Sequence, residues 1–176
     1  EGNPFSGKNS NYPGFLELIK VYQPNQCTLV PDESNQLTSD HGWDLLQDNS
    51  SLASLIKVIK AYGPRVSLFI DPNEEAISKA KEIGADRIEL YTGPYADAVE
   101  HQVDTEELIK LYSKAAKHAH KIGLGVNAGH DLNLFNLNQF LTKCEIDEVS
   151  IGHALISDAL RYGMQETIAK YLQECK

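Results

Sequence analysis

The chain has 176 residues, 41% of them hydrophobic and 23% charged, which allows one domain with a sizeable core and argues against disorder. Asp and Glu outnumber Lys and Arg by 25 to 16, and a net charge of −9 repels a phosphate backbone, so nucleic acid is not an expected partner. There is no run of about 18 apolar residues and no basic-then-apolar leader, so neither a membrane span nor secretion is expected and the predicted location is cytoplasmic.

Cys27, Cys144 and Cys175 are odd in number, far apart and without a C-x-x-C pair. That pattern suits reduced thiols better than a disulfide framework or a thiolate zinc site.

In chain order, the sequence opens on Glu1 rather than Met, and its first residues read as the middle of a fold. The expectation is a chain cut before its first two strands, with Glu1 ending a third. A helix is predicted over Phe15 to Tyr22, then a strand over Cys27 to Val30 that ends in Pro31-Asp32-Glu33 and leads to Leu37-Thr38-Ser39-Asp40-His41-Gly42. Leu45, Leu52, Leu55, Ile56 and Ile59 have helical spacing, which Gly63-Pro64 stops. A strand over Val66 to Ile70 is followed by Asp71-Pro72-Asn73-Glu74, read as an N-cap Asp with Pro at the first helical position. Gly84 ends that helix.

The next strand, Ile88 to Tyr91, runs into Thr92-Gly93. Asp104 with Glu107 reads as a capping box for a helix carrying Leu108, Leu111, Tyr112, Ala115 and Ala119, closed by Gly123. A strand over Leu124 to Asn127 ends in Ala128-Gly129-His130, and one over Val149 to Ile151 ends in Gly152-His153. Two helical pieces separated by Gly163 complete the chain.

Strands alternating with helices imply a parallel sheet with right-handed crossovers. An open doubly wound sheet and a closed barrel both fit. The first is weakened because no Gly-rich dinucleotide fingerprint follows any strand, while polar residues gather at strand C-termini as a barrel site requires. The fold class expected is α/β, an incomplete (β/α)8 TIM barrel with about the last five to six βα units, since a whole barrel takes about 250 residues. Residues 1–176 are expected to form a single domain.

Glu89 lies inside an apolar strand, where a carboxylate needs a partner or a raised pKa. It is either a catalytic or substrate-contacting group or a purely structural partner to a neighbouring strand. His130 sits at a strand tip, where an imidazole can move a proton near neutrality, against the reading of a loop His that caps the next helix. Gly152-His153 precedes a helix whose N-terminal N–H groups suit a phosphate, although other βα loops share that form. His118 and His120, two apart on a helix, are expected to be exposed, and His101 suggests no role. Glu89, His130 and His153 could hold a divalent metal, but nothing in their spacing demands one, and no metal is predicted. Arg65 and Arg87 begin strands and so belong to the opposite face. The tips carry no Arg or Lys; Lys8 is a possible local cation, and the missing N-terminal segment is the more natural supplier.

The stretches Cys27-Thr28-Leu29-Val30-Pro31, Leu37-Thr38-Ser39-Asp40-His41-Gly42-Trp43-Asp44, Arg65 to Asp71, Ile88-Glu89-Leu90-Tyr91-Thr92-Gly93-Pro94-Tyr95-Ala96-Asp97-Ala98, Gly125-Val126-Asn127-Ala128-Gly129-His130 and Ile151-Gly152-His153-Ala154 run in register from end to end. Together they resemble the pyridoxine 5′-phosphate synthase family. The resemblance implies a (β/α)8 barrel, usually a homo-octamer, that condenses 3-amino-2-oxopropyl phosphate with 1-deoxy-D-xylulose 5-phosphate without metal or organic cofactor. By position it implies Glu1 as a proton acceptor, Glu89 as a carboxylate assisting the central steps and His130 as a proton donor. It implies Thr38 as a contact to the deoxyxylulose phosphate, and Asp131, Gly152 and His153 as contacts to the amino-ketone phosphate. The residue after the catalytic His is often Gly in the family and is Asp131 here. The family's early Asn-x-Asp-His motif, a further His and phosphate-binding Arg residues are not in this chain, so the chain alone is expected to be inactive. The competing readings are another phosphosugar aldolase or isomerase on the same barrel, and a non-catalytic remnant.

Overall fold

The computed structural model describes residues 1–33 and 35–176. Five strands, β1 (Gln26–Leu29), β2 (Arg65–Ile70), β3 (Arg87–Tyr91), β4 (Gly125–Gly129) and β5 (Glu148–Ser150), form one sheet in the order β1-β2-β3-β4-β5, and every neighbouring pair is parallel. The helices are α1 (Phe15–Tyr22), α2 (Ser50–Lys60), α3 (Glu74–Glu82), α4 (Gly93–Glu100), α5 (Glu106–Lys121), α6 (Leu137–Leu141), α7 (His153–Tyr162) and α8 (Met164–Glu174). Each of the five predicted strands is present, shifted by one or two residues at its ends.

Period-two alternation assigns the two faces of the sheet. Leu29, Leu68, Ile88 and Val126 share one row of the register, with Ile70, Leu90 and Ala128 in another. These residues are buried against Ile56, Ile59, Ile77, Tyr112, Ala115, Ala119 and Phe140 of the surrounding helices. The opposite face carries Thr28, Ser67, Phe69, Arg87, Glu89 and Asn127, a row set that stays out of the apolar cluster.

That polar face is concave. Arg65 of β2 reaches Glu148 of β5 at 3.1 Å, although three strand spacings of about 4.8 Å separate the two in a flat sheet. Thr28 of β1 likewise reaches over β2 to Glu89 of β3. The sheet is therefore the curled arc of a (β/α)8-type barrel, with α5 and its neighbours outside. Gly2 forms a parallel bridge to Leu29, its N–H donating to the Thr28 carbonyl and its carbonyl accepting from Val30. Glu1 thus stands beside the C-terminal end of β1, in the place predicted for a strand end.

Several local expectations are corrected. Asn73 rather than Asp71 caps α3, accepting from the N–H groups of Glu75 and Ala76. An Asx side chain one residue before the helix reaches those donors, and the Asp71 side chain is committed to the Gly42 N–H. Asp104 accepts from the Glu106 N–H, with Thr105 at the cap position and no reciprocal box from Glu107. Leu45 is buried but precedes α2, in a turn. His118 and His120 are half-buried rather than exposed, because α5 packs on α3 and near the base of β5: His118 Nε2 lies 2.8 Å from Ser78 Oγ, and His120 faces Asp147.

At the N-terminal end of the strands, Arg87 meets Asn127 at 2.7 Å and Asp147 at 3.1 Å. Burial tends to push the Asp147 carboxyl up, but the Val126 N–H, His120 and Arg87 together hold it below its usual range. Arg65 and Arg87 are spent here, on the face opposite the strand tips. Among the described residues no helix is long and apolar enough to cross a membrane.

Candidate active site

At the C-terminal ends of the strands lies a cavity of about 430 Å³. Its lining includes Glu1, Thr38, Glu89, His130, Asp131, Gly152 and His153, all seven residues singled out in the sequence. Ser39, Phe69, Ser150 and Ile151 complete the wall.

Glu89 stands at the bottom of the cavity. It is 2% exposed, and its Oε2 accepts from the Thr28 hydroxyl at 3.2 Å. Burial first, and then the charge of Glu1, raise its pKa to about 7, against the hydroxyls of Ser150 and Thr28, which favour the ionised form. A carboxyl with that value is present in both protonation states near neutral pH.

His130 follows β4. Its Nε2 lies 2.8 Å from Thr38 Oγ1 and its Nδ1 2.8 Å from Asp131 Oδ2. Tyr91 packs edge-on to the imidazole with centroids 5.2 Å apart, and Phe69 lies at 6.4 Å. Both His130 (φ 86°) and Asp131 (φ 60°) occupy the left-handed region, which costs a non-glycine residue roughly 1–2 kcal/mol each. The buried Thr92 hydroxyl is shared between the carbonyls of Gly129 and His130, 2.6 Å from each, and Asn136 donates to the Asp131 carbonyl at 3.1 Å. These bonds hold the turn in its strained form.

Thr38 belongs to the long connection after β1. Trp43 pins that loop, its indole N–H donating to the Leu29 carbonyl and its backbone N–H to the Phe69 carbonyl. Gly42 lets it pass tightly, since a Cβ there would run into the Ile70 backbone. On the far wall, Gly152 is the N-cap residue of α7, so the first N–H groups of that helix open toward the cavity without a side-chain cap. His153 is exposed, with Nε2 3.7 Å from Asp131 Oδ1.

The possible local cation, Lys8, does not line the cavity, and its side chain runs along Gly14 instead. Among the described residues the cavity has no Lys or Arg in its wall. No group of three or more His, Cys, Asp or Glu among the described residues is arranged to hold a metal ion. Sequence reasoning gave no role to Thr28, Ser150 and Thr92. A hydroxyl on a strand or just past its end carries no signal until the fold shows which carboxyl or carbonyl it meets.

A parallel barrel-type sheet with a buried carboxyl, an imidazole and an open helix N-terminus at one rim is the arrangement of an enzyme of α/β-barrel class. A family model described as "Pyridoxal phosphate biosynthesis protein PdxJ" matches residues 8–176, and the chain belongs to that family. The enzyme named pyridoxine 5′-phosphate synthase from Xanthomonas campestris pv. campestris is 51% identical over 173 residues, covering 98% of this chain and 67% of the relative. Its namesake from Xanthomonas oryzae pv. oryzae is 52% identical over 174 residues, covering 98% and 68%. That from Xylella fastidiosa is 47% identical over 173 residues, covering 98% and 66%. The chain spans about two thirds of the length of these relatives. A solved structure described as "Native KDPGal structure" superposes with a TM-score of 0.56 at 12% identity, covering 90% of this chain and 64% of that one. At that identity the likeness is one of fold.

Proposed function

We propose that the site in this chain serves a pyridoxine 5′-phosphate synthase, which joins 3-amino-2-oxopropyl phosphate to 1-deoxy-D-xylulose 5-phosphate with release of phosphate and water; the chain alone is expected to be inactive. The observation that carries the reading is the convergence of Glu89, His130 and the Gly152 helix terminus on one cavity, in a chain 51% identical to enzymes of that name.

Ring closure between an amino ketone and a sugar phosphate moves several protons and needs no group that the 20 amino acids lack. Glu1 takes a proton, Glu89 gives and takes one in the central steps, and His130 donates. Glu89 suits its role because burial keeps a fraction of it protonated near neutrality. Thr38 contacts the deoxyxylulose phosphate. Asp131, Gly152 and His153 contact the amino-ketone phosphate, whose charge the α7 N–H groups receive. Residues 1–176 work as one unit of the barrel, with no metal or organic cofactor, as part of a cytoplasmic homo-octamer.

Incubating the full-length protein with both phosphorylated substrates tests the reading. The expected result is pyridoxine 5′-phosphate formed with one equivalent of inorganic phosphate, and none when either substrate is omitted. Turnover of a different sugar phosphate without that product would move the assignment to an aldolase or isomerase.

A further inference from the structure

The Asp131 carboxylate is turned back onto its neighbour. One oxygen lies 2.8 Å from His130 Nδ1, and the other faces His153 Nε2 across the cavity at 3.7 Å. An ionised carboxylate offers only acceptors, so the proton between Asp131 and His130 rides on Nδ1. The neutral ring then presents the lone pair of Nε2, which accepts from the Thr38 hydroxyl at 2.8 Å. For a neutral ring beside an ionised carboxylate the chain of hydrogen bonds from Thr38 to Asp131 runs in only this sense, and once Nε2 takes up a proton it donates to the Thr38 oxygen instead, with Nδ1–H still on Asp131.

The backbone enforces the arrangement. With His130 at φ 86° and Asp131 at φ 60°, held by Thr92 and Asn136, the Asp131 side chain folds over the ring that precedes it. Tyr91 and Phe69 bracket the imidazole on its other sides. A side chain placed merely to cap α6 would not need to meet Nδ1, and Asn136 and Asn133 already make the polar contacts of that turn.

We propose that Asp131 is a positioning residue whose carboxylate holds the Nδ1–H of His130, so that Nε2 is the nitrogen that takes up the proton His130 then donates to substrate. The proposal rests on the reading of His130 as a proton-transfer group. It goes beyond that reading by giving the Asp131 side chain a role separate from the phosphate contact expected of its position. It also accounts for how a negative side chain is tolerated beside a phosphate site: its charge is directed at two imidazoles.

The test is the histidine side-chain 15N–1H spectrum of the whole chain, with the His130 signal identified by its absence from His130→Gln. The native protein is expected to show Nδ1–H at His130. Asp131→Asn, whose amide oxygen still accepts, retains it. Asp131→Gly, which suits the left-handed backbone but lacks an acceptor, shifts the ring toward Nε2–H. A native His130 already in the Nε2–H form, or one unmoved by Asp131→Gly, overturns the proposal.

Turnover of the full-length protein gives a second readout. Asp131→Gly is expected to lower kcat roughly ten- to a hundredfold while KM for either substrate moves less than about threefold, with partial recovery in Asp131→Asn. Unchanged kcat in Asp131→Gly overturns the role even where the native protein makes product. A full-length protein that makes no pyridoxine 5′-phosphate counts against the function, and the spectra still decide Asp131.

Discussion

Gly129 leaves open the space that the Glu89 carboxyl fills: a Cβ at Gly129 would collide with Glu89 Oε1. The two residues sit on adjacent parallel strands with the carboxyl at the bottom of the cavity, and the only side chain compatible with its position there is a hydrogen. Gly129→Ala is therefore expected to displace Glu89. The cost is about 1–3 kcal/mol of stability from overpacking, and a misplacement near 1 Å lowers kcat roughly a hundredfold. Urea denaturation and turnover check both. An alanine variant as active as the native protein would show that the location of Glu89 does not matter to the chemistry.

Glu89 also makes stability depend on pH. Its pKa rises from 4.5 to about 7 in the fold, chiefly through burial and then through Glu1. Between those values the folded protein keeps a proton that the unfolded chain has lost, so stability falls as pH rises through the window and levels off above it. Glu89→Gln removes the titration. The variant is expected to gain on the native protein as pH rises from 4.5 toward 8, by up to about 3 kcal/mol. Denaturation curves collected across that range read the difference, and two parallel pH profiles would contradict the buried-carboxyl account.

Thr92 holds the His130 turn from below, through a hydroxyl shared by two carbonyls. Thr92→Val keeps the shape and removes the bond, leaving the His130 carbonyl without that donor. The expected loss is about 1–2 kcal/mol, with a fall in kcat larger than the rise in KM because the imidazole is no longer held. Thermal denaturation together with steady-state kinetics separates this from a change in packing alone, which would leave kcat intact.

Arg87 offers the opposite case, at the other end of the strands. Arg87→Met strips Asp147 of its cation and leaves the buried Asn127 side chain without its 2.7 Å partner. We expect a loss of about 2–3 kcal/mol by denaturation. Turnover measured below the melting transition should match that of the native protein, since Arg87 does not reach the cavity. A drop in kcat at full folding would mean that the base of the barrel is coupled to its rim.

The strand positions were legible because each is a short apolar run bounded by turn residues, and the candidate residues because parallel β/α order sends them all to one rim. Glu89 and His130 could be picked out as a carboxylate in an apolar strand and an imidazole at a strand tip. The cap at Asn73, the buried bonds of His118 and His120 and the fate of Lys8 were not legible, since each depends on which of several nearby polar groups wins a donor.

What the sequence by itself determined is the βα order, the apolar face of each strand, and the set of polar residues delivered to the strand ends. Those follow from local periodicity, which short-range sterics and burial impose on any chain with this pattern. Only the tertiary structure decided that Thr28 would reach Glu89 across an intervening strand, that Gly129 would make room for that carboxyl, and that Asp131 would turn onto His130. Curvature and register set those distances, and both arise from the packing of the whole sheet rather than from any stretch of it.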